Sequence, residues 1–184
     1  MNINSMWKEL RPGCIVGTTS FSVLGTIIRW REAGIGKVFS PHVASHIAVI
    51  RSVGVGQVTG YEMTVPHIRK VEWGMYDHGL SGNHIVFVAM PGLSIDGQRD
   101  AMKFLDSEYA RKRPYDGKSL FEAIGIGNDD PKKSNCAELG RDTLRSAGYH
   151  YPLEWDQGVE PWEMQRHFEA TKEIIWRSYK KFWG

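Results

Sequence analysis

One cysteine of this sequence lies where a helix is predicted to begin. Asn135 precedes Cys136, and Glu138 follows three residues after Asn135, which is the spacing of a capping box at a helix amino-terminus. The unpaired N–H groups and the dipole of a helix start stabilise an anion. Because the thiolate is the reactive form of cysteine, this position favours a nucleophile, and the same N–H groups can hold an oxyanion. The alternative is a small buried hydrophobic residue, the role that we assign to Cys14.

A thiol nucleophile needs a base, and we identify His46 as the candidate. It precedes the apolar run 47–50, which predicts a buried strand that would fix the direction of the imidazole. The alternative is an ordinary strand-end histidine that hydrogen-bonds to the backbone. His42 lies four residues earlier, a spacing that on a helix would suggest a zinc pair. Pro41 and the strand-like run that follows favour an extended chain instead, so we expect no metal.

A catalytic histidine also needs a group that orients its second ring nitrogen. If residues 54–56 form the turn of a hairpin, the residue opposite His46 lies near positions 62 to 64. Directly opposed side chains on paired strands have Cβ atoms about 4.5–5.5 Å apart. We therefore expect Glu62 to meet the imidazole, its alternative role being a solvent-facing strand residue. Other candidates, each of which needs a different register, are His67, Glu72 and His84.

The elements that must position these residues follow from hydrophobic periodicity. Strands are predicted over 14–16, 46–53, 57–65, 68–73 and 84–90. Helices are predicted over 23–33, 95–109, 120–124 and 136–147, and further helices from Pro161 and from Lys172. A run of strands followed by a run of helices indicates an α+β fold rather than a parallel doubly wound sheet.

The composition is that of an ordinary globular chain of 184 residues, with 41% hydrophobic residues and a net charge of +2. This charge is too small to indicate binding to nucleic acid. No run of 18 apolar residues predicts a membrane span, and residues 1–10 lack the apolar core of a signal peptide. We therefore expect a cytoplasmic protein, with export by another route left open. We expect no cofactor, and the oligomeric state is not determined by the sequence.

Together these motifs resemble the circularly permuted papain-like hydrolases, and more narrowly the YiiX-like branch of the NlpC-type superfamily. The motifs are Ser45-His46 before an apolar strand, Tyr115-Asp116, Asn-Cys-Ala-Glu-Leu at 135–139 and a helix ending in Ala-Gly-Tyr at 147–149. The resemblance covers roughly residues 13–149. It implies a permuted papain-like fold, with an antiparallel sheet or small barrel packed against helices and with the histidine before the cysteine.

The resemblance also implies roles for individual residues. The nucleophile, the base and the third polar group would be Cys136, His46 and Glu62. Three further residues are expected to contact the substrate: Tyr115, Asn135 and Ser45. For Tyr115 the alternative is a core residue beside a proline turn.

The activity implied is that of a metal-independent amidase, peptidase or acyl-transfer enzyme. We expect a thiol hydrolase that acts through a thioester on peptide, amide or acyl substrates, cell-wall-type peptides among them. The family commonly has Ser after the cysteine and an apolar residue after Glu-Leu, whereas this chain has Ala137 and Gly140. These departures leave the substrate open. The alternatives are a lipid acyltransferase or acyl hydrolase at a membrane surface, and an inactive binding module of the same fold.

The sequence also predicts two parts of unequal size. Residues 1–152 are expected to form the catalytic domain, and residues 153–184 an aromatic-rich helical extension packed on it. The segment 172–184 is basic and amphipathic, and such a helix can lie in a membrane interface. We favour the alternative, in which its apolar face packs on the domain.

Overall fold

The computed structural model describes residues 9–20, 42–54, 57–72, 83–116 and 135–177. In this part of the chain, six strands form one sheet: β1 (Ile15–Ser20), β2 (His46–Gly54), β3 (Gln57–Met63), β4 (Ile68–Glu72), β5 (Asn83–Ala89) and β6 (Ile174–Arg177). The same ranges contain the helices α1 (Ile95–Ala110), α2 (Cys136–Ser146) and α3 (Pro161–Ala170), and a short 3₁₀ helix over Leu153–Gln157. The predicted α+β class is confirmed.

The sheet is antiparallel throughout, with the strand order β4-β3-β2-β1-β5-β6. Strand β2 therefore has a partner on both sides, and Val49 pairs with Ile15 on β1 and with Tyr61 on β3. Within the described ranges no pairing joins β4 to β6, so these strands form an open sheet and not a closed barrel. The predicted hairpin of 46–53 with 57–65 is confirmed as β2 and β3.

The alternation of side chains along the strands produces two hydrophobic clusters. Ile15 and Val49 belong to the larger cluster, which also contains Leu139 of α2. Val16 and Ile50 belong to the smaller one. Successive residues of a strand point to opposite faces of the sheet, so the clusters lie on opposite faces. Helix α2 packs against β2 and against α1, which brings the start of α2 to the sheet.

The ends of α1 and α2 follow local sequence signals. Ser94 caps α1, and its hydroxyl accepts a hydrogen bond from the Gly97 N–H at 3.0 Å. Helix α2 ends before Gly148, whose φ of +70° is the left-handed conformation that glycine adopts without strain. The Tyr149 N–H then donates to the Leu144 carbonyl at 3.0 Å, which completes a Schellman motif. The predicted limits of both helices are confirmed to within one residue.

The segment after Lys172 differs from the prediction. A helix is predicted there, but Ile174–Arg177 forms β6 and pairs with β5. Isoleucine and tryptophan in succession favour a strand, and the unpaired edge of β5 supplies hydrogen-bond partners that an isolated segment lacks. Residues 174–177 therefore do not belong to an amphipathic interfacial helix. The predicted helices over 23–33 and 120–124, the hairpin turn at 55–56 and the tail from 178 lie outside the described residues.

The chain after residue 152 shares the main core. The larger cluster includes four residues from this part of the chain: Trp155, Val159, Met164 and Phe168. The extension thus contributes both core residues and an edge strand to the sheet. None of the helices in the described ranges combines the length and the apolar character needed to cross a lipid bilayer.

Candidate active site

Cys136 is the first residue of α2, as the sequence predicts. The Asn135 side chain accepts a hydrogen bond from the Glu138 N–H at 2.9 Å, and the Glu138 carboxylate accepts one from the Asn135 N–H at 2.8 Å. This is the predicted capping box. It satisfies two of the N–H groups at the helix start, while those of Cys136 and Ala137 have no acceptor within the helix. These two N–H groups are suited to hold an anion beside the sulfur.

His46 is the first residue of β2, and its imidazole forms a hydrogen bond with the Glu62 carboxylate. The distance from His46 Nε2 to Glu62 Oε2 is 2.8 Å, and 22% of the histidine side chain but only 1% of the glutamate side chain is exposed. In the β2–β3 register Glu62 pairs with Ala48. Glu62 therefore reaches His46 diagonally across the two strands, a distance that a long side chain spans. The predicted meeting of these two side chains is confirmed.

Arg69 holds the other oxygen of the Glu62 carboxylate. These residues are directly opposed in the β3–β4 register, and Arg69 Nε donates to Glu62 Oε1 at 2.5 Å. A carboxylate that is almost fully buried needs such partners to stay ionised. The sequence analysis missed Arg69, although the predicted strand over 68–73 contains it. Only the β3–β4 register, which has no local sequence signal, identifies it as the partner.

The imidazole of His46 also interacts with Cys136. Burial lowers the pKa of His46, but the charge of Cys136 and a hydrogen bond with it, together with the hydrogen bond and charge of Glu62, outweigh burial and raise the pKa from 6.5 to about 10. Since Glu62 occupies Nε2, Nδ1 is the nitrogen left for the sulfur. A raised pKa keeps the imidazole protonated near neutral pH. The arrangement thus places a positively charged imidazole beside the thiol that begins α2.

Tyr115 lies in the electrostatic neighbourhood of this pair. Burial is the main cause that raises the pKa of the Tyr115 phenol, and the charge of Cys136 raises it further. The ring packs against the larger hydrophobic cluster and is half-buried. Its backbone N–H donates to the Pro66 carbonyl at 3.0 Å, which fixes the residue beside β4. Contact of Tyr115 with substrate stays a prediction.

The other two predicted substrate contacts have structural roles. Asn135 uses its side-chain oxygen to cap α2. Ser45 is 2% exposed, and its backbone N–H donates to the Thr18 carbonyl at 2.9 Å, which holds the start of β2 on β1. A side chain that is buried to this extent is poorly placed to touch a substrate. Contact of either residue with substrate stays a prediction.

The alternative partners for His46 lie elsewhere. His67 directs Nδ1 at the Ile68 carbonyl, 2.8 Å away. Glu72 ends β4, where it pairs with Thr59 and is exposed. His84 pairs with Thr19 on β5 and β1. None of these three positions replaces that of Glu62.

His42 and the described acidic residues do not make a metal centre. His42 lies in a turn before β2, not on a helix. The four-residue spacing between His42 and His46 therefore does not indicate a zinc pair. In the part of the chain that the structure describes, no three His, Cys, Asp or Glu residues form a group able to hold a metal ion.

Cys14 provides an internal comparison with Cys136. It is 1% exposed and belongs to the smaller cluster, on the opposite face of the sheet. Burial raises the pKa of the Cys14 thiol to about 11, and the hydrogen bond that its sulfur accepts from the Arg11 N–H only partly opposes this. A thiol in this environment stays protonated and unreactive, in agreement with the role expected from the sequence.

No protein-family model matches this chain, and no curated protein is significantly similar to it. A role for the site therefore has to be argued from the arrangement of Cys136, His46 and Glu62.

Proposed function

We propose that this protein is a thiol hydrolase of the amidase or peptidase type, with Cys136 as nucleophile and His46 as base. The observation that supports this best is the linked set of Cys136, His46 and Glu62, in which the thiol begins a capped helix and the imidazole carries a raised pKa. The histidine precedes the cysteine in an α+β chain, which fits the resemblance to circularly permuted papain-like hydrolases. That family assignment is part of the proposal.

The first half of the reaction forms an acyl-enzyme. The Cys136 thiolate attacks the substrate carbonyl carbon, a C–S bond forms, and the C=O π electrons move to the oxygen. The N–H groups of Cys136 and Ala137 stabilise the oxyanion. The intermediate collapses, the C–N or C–O bond breaks, and the proton of the His46 imidazolium passes to the leaving amine or alcohol. A thioester on Cys136 remains.

The second half returns the enzyme to its starting state. Neutral His46 takes a proton from a water molecule, whose oxygen attacks the thioester carbonyl. The tetrahedral intermediate then expels the Cys136 thiolate, the C–S bond breaks, and a carboxylic acid leaves. Glu62 stabilises the imidazolium that exists before the first step and after the second. No atom or electron has to come from a further co-reactant.

Selective alkylation of Cys136 tests the proposal directly. At pH 6 iodoacetamide should label Cys136 faster than free cysteine, because the proposed mechanism requires a nucleophile that the helix start and the His46 imidazolium activate. Cys14 is the internal control and should stay unlabelled in the folded protein. Mass spectrometry of the labelled peptides measures both rates. A Cys136 rate no greater than that of free cysteine contradicts the proposal and favours a binding module.

Turnover of a panel of amide, ester and lipid substrates tests the reaction and its substrate class. Cys136→Ser should lower turnover of any substrate found by about 10⁴-fold, whereas Cys14→Ser should leave it close to wild type. Circular dichroism of both variants checks that the fold is kept. Undiminished turnover in folded Cys136→Ser would remove the nucleophile from the proposal.

A further inference from the structure

Gln165 lies on the buried face of α3, where a polar side chain needs a partner. Gln165 is only 4% exposed and lies between the core residues Met164 and Phe168 on the same helix. A buried amide without hydrogen bonds is strongly unfavourable. The position of Gln165 therefore calls for specific partners.

The partners are backbone groups of the segment that leads into β2. Gln165 Oε1 accepts a hydrogen bond from the Ala44 N–H at 3.0 Å, and Gln165 Nε2 donates to the His42 carbonyl at 3.0 Å. Ala44 is fully buried, so its N–H has no access to solvent. The Gln165 amide thus pairs with the backbone of residues 42–44 as a neighbouring strand would. This segment ends two residues before His46.

Helix α3 is also fixed against the helix that carries Cys136. Met164 lies against Gly140 of α2, where a Cβ atom would be 3.0 Å from the Met164 Cε. The adjacent residue of α3, Gln165, holds the segment that precedes His46. One turn of α3 therefore contacts α2, the helix that carries Cys136, and the segment that leads into β2, the strand that begins with His46.

We propose that Gln165 is a positioning residue that fixes the imidazole of His46 relative to the Cys136 thiol. This inference rests on the proposed function of that pair. The hydrogen-bond partners of the Gln165 amide are the Ala44 N–H, the His42 carbonyl and the Glu169 carboxylate, none of which is a reacting atom of the proposed mechanism. Its amide sets where the polypeptide enters β2, and a misplacement of about 1 Å at a reacting pair can lower a rate by up to about 100-fold.

The test removes the hydrogen bonds of Gln165 while its size is kept. Gln165→Met has a similar size and length, adds no charge, and loses the bonds to the Ala44 N–H and to the His42 carbonyl. We expect the alkylation rate of Cys136 at pH 6 to fall by about 10-fold to 100-fold in Gln165→Met. The pH profile of alkylation should change with it.

Two variants on the same helix serve as controls. Phe168→Leu removes buried ring contacts with Phe87 and should lower the melting temperature while the hydrogen bonds of Gln165 to the segment before His46 are kept. In the wild type, Glu169 Oε1 accepts a hydrogen bond from Gln165 Nε2 at 3.2 Å. Glu169→Gln keeps an oxygen acceptor for this bond and should behave as wild type. If Phe168→Leu changes the pH profile as much as Gln165→Met does, or if Gln165→Met leaves that profile unchanged, the positioning role is overturned.

NMR signals of the His46 ring separate this inference from the proposed function. If wild-type Cys136 reacts like free cysteine, the proposed function fails. The position of the imidazole is then still read from the ring signals of His46. Gln165→Met should move them and Phe168→Leu should not, and equal signals in wild type and Gln165→Met would overturn the inference by themselves. Faster hydrogen exchange at the Ala44 N–H in Gln165→Met is the accompanying expected result.

Discussion

At the scale of residues, the candidate site is a chain of polar contacts. Arg69 holds Glu62, Glu62 holds His46, and His46 faces Cys136. Glu62 is the most deeply buried member, and removal of either partner would leave part of its charge uncompensated. Arg69 is half exposed, so its own contribution is reduced by solvent and comparable to that of a surface pair, about 1 kcal/mol or less. Of the two partners of Glu62, the less exposed imidazole is expected to interact with the carboxylate more strongly than Arg69 does.

The raised pKa of His46 gives a pH dependence of defined sign. The pKa is raised from 6.5 to about 10, so the folded protein holds a proton that the unfolded chain releases between these values. The stabilisation from this group is fully present below pH 6.5 and is lost as the pH rises through about 10.

The Glu62 carboxylate supports that pKa. Glu62→Gln should therefore lower the pKa of His46 by about 1 to 3, and the imidazolium should lose its proton at a correspondingly lower pH. An NMR titration of the His46 ring measures the midpoint. Glu72→Gln, which removes an equal charge from an exposed position at the end of β4, should leave the midpoint unchanged. Equal midpoints in wild type and Glu62→Gln would mean that the carboxylate does not hold the imidazolium.

At the scale of elements, local signals predicted the helix that carries Cys136 and the hairpin that carries His46. The capping box at Asn135 and the glycine at 148 lie within a few residues of the groups they satisfy, so the sequence alone identifies them. The β2–β3 pairing follows from one short turn. Arg69 and Gln165 were missed because their roles depend on the β3–β4 register and on the packing of a distant helix. The strand at 174–177 was missed for the same reason, since the edge of β5 decides its conformation.

Gly140 marks the point where α2, β2 and α3 meet. A Cβ there would lie 3.0 Å from Met164 Cε and 3.2 Å from Ile47 Cγ2. A side chain larger than that of glycine would therefore crowd this position. Alanine would add up to about 1 kcal/mol of helix propensity, but overpacking of a buried contact costs about 1–3 kcal/mol.

We therefore expect Gly140→Ala to lower the free energy of unfolding by about 1 kcal/mol. Met164→Ala removes the sulfur and methyl group that the new Cβ would meet, so the two changes should not be additive. In a double-mutant cycle measured by urea unfolding, the double variant should be more stable than the sum predicts by about 0.5–3 kcal/mol. Additivity within about 0.5 kcal/mol would show that a Cβ at position 140 does not crowd the Met164 side chain.

At the scale of the whole molecule, the site depends on a chain segment far from it in sequence. The part after residue 152 supplies Trp155 and Phe168 to the main core, β6 to the edge of β5, and Gln165 to the segment before His46. A boundary at 152 would therefore cut through one hydrophobic core. The candidate dyad and the C-terminal segment belong to a single folding unit in the described ranges.

A chain of residues 1–152 tests this dependence. It should fail to fold cooperatively, because it exposes the core positions that Trp155, Met164 and Phe168 cover, and burial of each large apolar side chain contributes roughly 1.5–3 kcal/mol. Loss of three such contacts is comparable to the roughly 5–15 kcal/mol by which proteins are stable. Circular dichroism melting and the alkylation rate of Cys136 measure the result. Addition of the separate fragment 153–184 should restore both signals, since it carries α3 and β6. A truncated chain that melts cooperatively and keeps the wild-type alkylation rate would show that the site assembles without its C-terminal segment.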